Sequence, residues 1–137
     1  EKDVTDTHAA VDIALEKGAE EIVIYGGMGG RPDHTLANIS LIASLVKKGI
    51  KAFCVGEGYT VTGVSDGNIC VSGTRGKTFS VFSWSEKSEG VTLNGLKYTL
   101  EDAVLTNSFA LGVSNSFSDA SASVTVKKGT LIIMYEN

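Results

Sequence analysis

The 137-residue sequence contains little of what marks several common protein classes. Its two cysteines and two histidines show no spacing typical of a zinc site. No apolar run approaches the roughly 18 residues of a membrane-spanning helix. The formal net charge is -4 and no basic stripe is present, so duplex nucleic acid is not an expected partner. Cys54 and Cys70 lie in apolar segments and are predicted to be reduced, buried thiols.

The beginning of the sequence has no signal-peptide pattern, because charged residues open it directly. We therefore expect a cytoplasmic protein without a membrane partner. Apolar residues make up 42% of the sequence, which is enough for the core of one ordinary domain or two small ones.

The first part of the sequence predicts alternating helices and strands. Apolar residues at helical spacing indicate helices over residues 5–18 and 33–48, and short apolar runs indicate strands over residues 21–25 and 51–55. This order is typical of an α/β layer with a parallel sheet. Two helices cannot cover both faces of such a sheet, so we expect further elements before this segment.

The helical pattern ends at residues 56–58, and short segments rich in Val, Thr, Phe and Ser follow. Strands are predicted over residues 59–64, 69–72, 78–84, 91–93, 122–126 and 130–135. Asp66-Gly67 is predicted to turn a hairpin, and residues 127–129 are predicted to join the last two strands by a turn. We expect a partial Rossmann-like α/β layer over residues 1–57 and a C-terminal β-sandwich over residues 58–137.

Residues 26–34, Gly-Gly-Met-Gly-Gly-Arg-Pro-Asp-His, separate a predicted strand from a predicted helix. Glycines let the backbone approach a ligand, and the helix start offers unpaired N–H groups with partial positive charge. Arg31 adds donors that fit phosphate oxygens. The spacing matches neither the Walker loop nor the dinucleotide motif. A plain turn with Asp33 as helix cap is the alternative, but it needs fewer glycines, so nucleotide or phosphate binding is favoured.

Other polar segments carry weaker signals. Asp3 and Asp6, three residues apart at a helix start, suit either a magnesium ion or an ordinary first turn. In the β half, residues 95–98 and 112–115 are typical of loops with turn-forming residues. Trp84 is expected in the core.

Together these segments resemble thiamine pyrophosphokinases. The resemblance covers residues 2–6, 26–38, 95–100 and 112–115, in the family's order and over nearly the whole sequence. It implies transfer of a diphosphate group from ATP to the hydroxyl of thiamine, giving thiamine diphosphate and AMP. It further implies Mg²⁺ as cofactor, an ATP-binding α/β part, a thiamine-binding β-sandwich, and a homodimer with active sites at the subunit interface.

The resemblance also assigns roles to individual residues. It implies three catalytic carboxylates, four residues on the ATP side and three on the thiamine side: Asp3, Asp6 and Asp33; Gly29, Gly30, Arg31 and His34; Tyr98, Ser114 and Asn115. Asp3 and Asp6 are also the implied metal ligands.

The sequence departs from the family in its first residues. The Asp-Gly-Gly-type and Asp-Phe-Asp-type motifs of the family are absent, and their carboxylates belong to the metal and ATP site. We therefore expect this sequence to be a fragment with little or no pyrophosphokinase activity alone. Three alternatives stay open: a non-catalytic module that binds thiamine or its diphosphate, a diphosphokinase for another substrate such as a pterin, and a structural β domain with a decayed α/β half. The intact glycine segment argues against the last.

Overall fold

The structure, a computed structural model, describes residues 4–137. Over that range it contains two helices and eight strands: α1 Asp6–Glu16, β1 Glu21–Tyr25, α2 Pro32–Lys47, β2 Lys51–Val55, β3 Tyr59–Ser72, β4 Thr78–Ser83, β5 Lys87–Asn94, β6 Leu100–Thr106, β7 Asn115–Ser116 and β8 Ser121–Glu136. The helices and strands predicted before residue 56 are confirmed, with bounds shifted by two residues at most. No helix of residues 4–137 is long and apolar enough to cross a membrane.

Local residues explain where the two helices begin. The hydroxyl of Thr5 accepts a hydrogen bond from the backbone N–H of His8 at 3.1 Å and so caps α1. Pro32 opens α2, and Arg31 precedes it as the N-cap residue. The alternative in which Asp33 caps α2 is therefore wrong, because the proline ring fixes a helical φ one residue earlier. Asp33 lies in the first turn, where a carboxylate interacts favourably with the helix dipole.

The strands form one mixed sheet. Its order is β1-β2-β3-β8-β4-β7, and β5 and β6 extend from β8. Among the described strands only β1 and β2 are parallel. β2 pairs with β3 through Cys54↔Val61 and Val55↔Thr60. The parallel layer predicted for the first part therefore continues directly into the antiparallel strands of the second.

Both turns predicted within the long strands are wrong. β3 passes through Asp66-Gly67 and β8 passes through residues 127–129, because the two strands pair with each other on both sides of these positions. Asp66 takes a φ of 48°, and its carboxylate accepts a hydrogen bond from the N–H of Gly129 at 2.8 Å. The turn-forming residues thus make a β-bulge that bends the strand pair without reversing it.

Two strands were missed and one was predicted too short. β6 shows no clean alternation and buries only Leu105, as an outer strand does. β7 has two residues. β5 extends to both sides of the predicted residues 91–93. Trp84 is half-buried against the core, as predicted.

Two clusters of buried side chains form the core. One contains residues of α1, α2 and the sheet: Val11, Ile22, Ile39, Leu41, Ile42, Ala43, Leu45, Val46, Ala52, Cys54, Val61 and Ile132. The other lies among the antiparallel strands and includes Phe79, Phe117 and Ile133. Each fully buried large side chain contributes about 1.5–3 kcal/mol. Because Val61 and Ile132 belong to the first cluster, α2 packs on strands from both parts of the chain.

The two cysteines differ in burial. Both are free, and Cys54 is buried as predicted. The prediction for Cys70 is wrong, since this side chain is exposed. Successive side chains of a strand point to opposite faces, and the neighbouring Val71 is the one that points into the core.

Candidate functional site

The glycine loop, defined here as residues 26–31, joins β1 to α2. Gly26, Gly29 and Gly30 have φ values of 73°, 96° and 71°. A Cβ at any of the three would meet no atom of the described residues within 4 Å. The backbone of Gly29 and Gly30 is therefore open to a ligand at the start of α2, where peptide N–H groups are unpaired.

One position in the glycine loop is tightly packed instead. A Cβ at Gly27 would lie 2.7 Å from Sγ of Cys54 and 3.0 Å from Nδ2 of Asn38. Asn38 donates a hydrogen bond from Nδ2 to the carbonyl oxygen of Gly27 at 2.6 Å. Asn38 was not among the predicted site residues. A polar residue in the second turn of a helix that follows a glycine loop is the signal that could have indicated this anchor.

Arg31 and Asp33 bind each other at the surface. Nε of Arg31 donates to Oδ1 of Asp33 at 3.2 Å, and Nη2 donates to Oδ2 at 2.6 Å. Oδ1 also accepts from the backbone N–H of His34 at 3.0 Å. The bond from Arg31 is the main cause that lowers the pKa of Asp33 below its ordinary value. The structure therefore places Arg31, Asp33 and His34 together, all exposed, beside the open glycines.

Only one of the two predicted metal ligands lies within the described residues. Asp6 is exposed at the first residue of α1, and Asp3 lies outside the described residues. No three His, Cys, Asp or Glu side chains of residues 4–137 gather as metal ligands would. Mg²⁺ bound to nucleotide phosphates needs only one or two protein carboxylates.

The segment around Asn115 is built differently. The Asn115 side chain is buried, with 6% of its surface exposed. Its Oδ1 accepts from the N–H groups of Tyr98 at 2.9 Å and Ser116 at 3.0 Å, and its Nδ2 donates to the carbonyl of Tyr98 at 2.6 Å. Asn115 thus ties two segments together that are far apart in sequence, and its amide oxygen is fully used within the protein.

The other two thiamine-side residues are exposed. Tyr98 has 60% of its surface exposed, and Nζ of Lys97 lies 5.3 Å from the centre of its ring. Ser114 has a φ of 65°, and its N–H donates to Oγ of Ser80 at 3.0 Å.

A cavity of about 270 Å³ opens beneath Tyr98. It is lined by Leu93, Tyr98, Leu100, Leu111, Gly112, Val113 and Asn115. A Cβ at Gly112 would lie 2.6 Å from the carbonyl oxygen of Val81, so only glycine fits there. An apolar cavity with an aromatic wall suits a small ring system. A wider cavity of about 590 Å³ lies between β2 and β3, lined by residues such as Phe53 and Cys70 rather than by the predicted site residues.

The two sets of predicted site residues lie far apart along the sheet. One row of paired residues crosses it from β1 to β7: Tyr25, Val55, Thr60, Tyr135, Phe79 and Asn115. The row contains five strand spacings of about 4.8 Å, which is about 24 Å along the sheet. The structure therefore brings the ATP-side residues together and the thiamine-side residues together, at the same end of the strands but on separate strands.

Comparison with known proteins matches both halves of the chain. A family model described as "Thiamin pyrophosphokinase, catalytic domain" matches residues 1–54, and one described as "Thiamin pyrophosphokinase, vitamin B1 binding domain" matches residues 68–131. A curated thiamine pyrophosphokinase of Bacillus subtilis (strain 168) is 34% identical over 135 residues, which are 98% of this chain and 63% of that protein.

Solved structures give the same result. The crystal structure of thiamine pyrophosphokinase from Bacillus subtilis superimposes with a TM-score of 0.90 at 32% identity, covering 100% of this chain and 65% of that one. The structure of thiamin pyrophosphokinase from Geobacillus thermodenitrificans gives a TM-score of 0.86 at 27% identity, covering 100% and 63%. The chain therefore spans a little less than two thirds of the length of these relatives.

Proposed function

This chain belongs to the thiamin pyrophosphokinase family, and we propose that it takes part in the ATP-dependent transfer of a diphosphate group to thiamine, which gives thiamine diphosphate and AMP. The observation that carries the proposal is the open backbone of Gly29 and Gly30 beside Arg31 at the start of α2. We further propose that residues 1–57 are part of a nucleotide-binding α/β domain and residues 58–137 a thiamine-binding β-sandwich. The two family models divide the chain in the same order.

On the nucleotide side, diphosphate transfer needs negative charge on phosphate oxygens to be neutralised and the attacking hydroxyl to be held in line. The N–H groups at the start of α2 and the guanidinium of Arg31 are suited to the first task. Phosphate oxygens would take the place of the Asp33 carboxylate on Arg31. Asp33, once released from Arg31, is available to a metal ion or a proton donor.

We propose Mg²⁺ as the ion that accompanies the ATP phosphates, where it supplies further charge neutralisation. Asp3 and Asp6 are its proposed protein ligands. Asp6 opens α1 with its side chain in solvent, and a ligand from this position together with phosphate oxygens matches the way Mg²⁺ is usually bound.

On the thiamine side, we propose that the cavity beneath Tyr98 receives a ring of thiamine. The exposed face of Tyr98 attracts a cation such as the thiazolium ring. Ser114 lies next to the cavity wall and offers a hydroxyl. Asn115 holds the backbone of Tyr98 in place beside the cavity.

We propose that the working unit is a homodimer in which the glycine loop of one copy faces the thiamine cavity of the other. The separation of about 24 Å along the sheet supports this arrangement, because the reacting groups of ATP and thiamine must come within contact distance.

The test is to incubate the chain with ATP, Mg²⁺ and thiamine and to separate the products by chromatography. Since the chain spans less than two thirds of its relatives, the ratio of products is more informative than the rate. AMP and thiamine diphosphate should appear in equal amounts. ADP with thiamine monophosphate would contradict diphosphate transfer.

Calorimetry on variants tests the residue assignments. Arg31→Ala should weaken binding of ATP and Mg²⁺ by about tenfold or more and leave thiamine binding unchanged, because a charge-assisted hydrogen bond is lost. Arg75, an exposed arginine in the β half, provides the matched control Arg75→Ala. Equal losses in the two variants would contradict the assignment of Arg31.

A further inference from the structure

Asn137 is bound to the turn that lies next to the glycine loop. Its backbone N–H donates to the carbonyl of Gly58 at 3.0 Å, and its Nδ2 donates to the carbonyl of Gly56 at 2.9 Å. Its Oδ1 accepts from the hydroxyl of Thr60 at 2.6 Å. Thr60 is buried with 4% exposure, so this hydroxyl has little access to water as an alternative partner.

The turn held by Asn137 supports the centre of the glycine loop. Its shape is closed by the N–H of Gly56, which donates to the carbonyl of Tyr59 at 2.8 Å. A Cβ at Gly56 would lie 2.8 Å from Cε and 3.3 Å from Cβ of Met28. Met28 also packs against the core cluster beneath α2. The backbone at Gly56 is thus the surface on which the Met28 side chain rests.

We propose that Asn137 is a positioning residue for the glycine loop, acting through the turn of residues 56–59 and the side chain of Met28. The loop is anchored by Asn38 at Gly27 and by this packing at Met28, whereas Gly29 and Gly30 lie in open space. Loosening the turn therefore loosens the segment that carries the phosphate-facing N–H groups. This inference rests on the proposed nucleotide-binding role of the loop.

Hydrogen exchange of the ligand-free protein tests whether Asn137 holds the turn of residues 56–59 and the glycine loop in place. The amides of Gly26 and Gly56 are the probes, since their N–H groups bond to Val55 and Tyr59. Asn137→Ala should speed their exchange by about tenfold, the effect of losing a net hydrogen bond from the local structure. Asn68→Ala is the matched control, because the side-chain amide of Asn68 also binds another segment, with its Nδ2 within hydrogen-bond distance of three acceptors on β8, but near the other end of β3.

A second pair of variants leaves Asn137 in place. Thr60→Val removes the hydroxyl at nearly constant volume and should act in the same direction as Asn137→Ala, whereas Thr60→Ser retains the donor and should exchange like the wild type. Unchanged exchange at Gly26 and Gly56 in both Asn137→Ala and Thr60→Val would overturn the proposal. So would an equal increase in Asn68→Ala.

Calorimetry then links the turn to the site. Asn137→Ala should weaken binding of ATP and Mg²⁺ several-fold and leave thiamine binding unchanged, a split that general destabilisation would not produce. If the wild-type protein binds no ATP, the nucleotide role of the loop fails, and the exchange experiment still decides whether Asn137 holds the loop. If ATP binds equally to both proteins while exchange differs, Asn137 supports the fold alone and the proposal is overturned.

Discussion

The glycine loop and the segment around Asn115 carry the same kind of sequence signal, a short motif of turn-forming residues, but the structure uses them in different ways. In the glycine loop, Gly29 and Gly30 lie in open space, and among the described residues the guanidinium of Arg31 binds only its neighbour Asp33. In the other segment, the amide of Asn115 is buried and holds three backbone groups. Residues of the glycine loop are thus free to contact a ligand, whereas Asn115 is part of the scaffold.

The largest expected effect is on the scaffold side. Asn115→Ala should lower the free energy of unfolding by about 3 kcal/mol, because it leaves two part-buried N–H groups and a carbonyl without their partner and removes a buried side chain. Urea unfolding measures the change. Asn107→Ala, at an exposed asparagine of the neighbouring loop, should stay within about 0.5 kcal/mol of the wild type. Equal losses in the two variants would show that Asn115 is not a structural clamp.

The thiols give the next comparison. Cys54 lies beneath Gly27, and burial raises the pKa of its thiol, whereas Cys70 is exposed. With an aromatic disulfide reagent at neutral pH, Cys70 should react at once and Cys54 at least about a hundredfold more slowly, when the structure opens. Cys70→Ser isolates the slow reaction. Rapid modification of Cys54 in that variant would mean that the glycine loop does not cover it.

Within the glycine loop, two glycines should respond unequally to alanine. Gly27→Ala places a Cβ against Cys54 and Asn38 and should cost about 2 kcal/mol in unfolding free energy. Gly29→Ala meets open space and pays only for its positive φ, about 1 kcal/mol. Denaturant unfolding of the two variants in parallel provides the measurement. The reverse order would contradict the packing described for this loop.

The smallest effect on stability is expected at the exposed ion pair. The Arg31→Ala variant should unfold at the same denaturant concentration as the wild type, since both partners are exposed. It should, however, raise the pKa of Asp33 towards the ordinary value, as followed by carboxyl carbon NMR. In the folded wild type the pKa of Asp33 is lowered, so the ion pair is complete at pH values above the pKa that Asp33 has in the unfolded chain. The pair is lost as the pH falls through the lower pKa that Asp33 has in the folded protein.

Glu89 provides the internal reference in the same titration. Its pKa is lowered by Lys87, a pair that Arg31 does not touch. Its pKa should stay the same in Arg31→Ala. An Asp33 pKa that also stays the same would show that the Arg31–Asp33 pair does not persist in solution.

The first part of the fold was predictable because its signals are local. Thr5 and Pro32 mark helix starts, and short apolar runs mark β1 and β2. The second part of the fold was not predictable in this way. Asp66-Gly67 has a conformational preference that suits a hairpin turn and a β-bulge equally well. The outcome depends on β8, whose paired residues lie some 60 positions away. Pairing between strands so far apart in the sequence cannot be predicted from the residues of either strand alone.

The candidate site shows the same division. The open glycines and Arg31 follow from residue type and position, since nothing in the tertiary structure is needed to expose them. The roles of Asn38 and Asn137 were missed, and the backbone clamp made by Asn115 was not foreseen, because an amide side chain serves equally well as ligand contact or backbone clamp. Only the groups that surround it in the folded protein decide between the two.

We propose that nucleotide and thiamine bind to two regions about 24 Å apart along one sheet. Nitrogen-15 NMR of the labelled chain, titrated separately with ATP plus Mg²⁺ and with thiamine, tests it directly. ATP should shift the amide signals of residues 26–34, and thiamine should shift those of Tyr98, Ser114 and the residues around the cavity. Shifts from ATP centred on the Tyr98 segment, or none in the glycine loop, would contradict it.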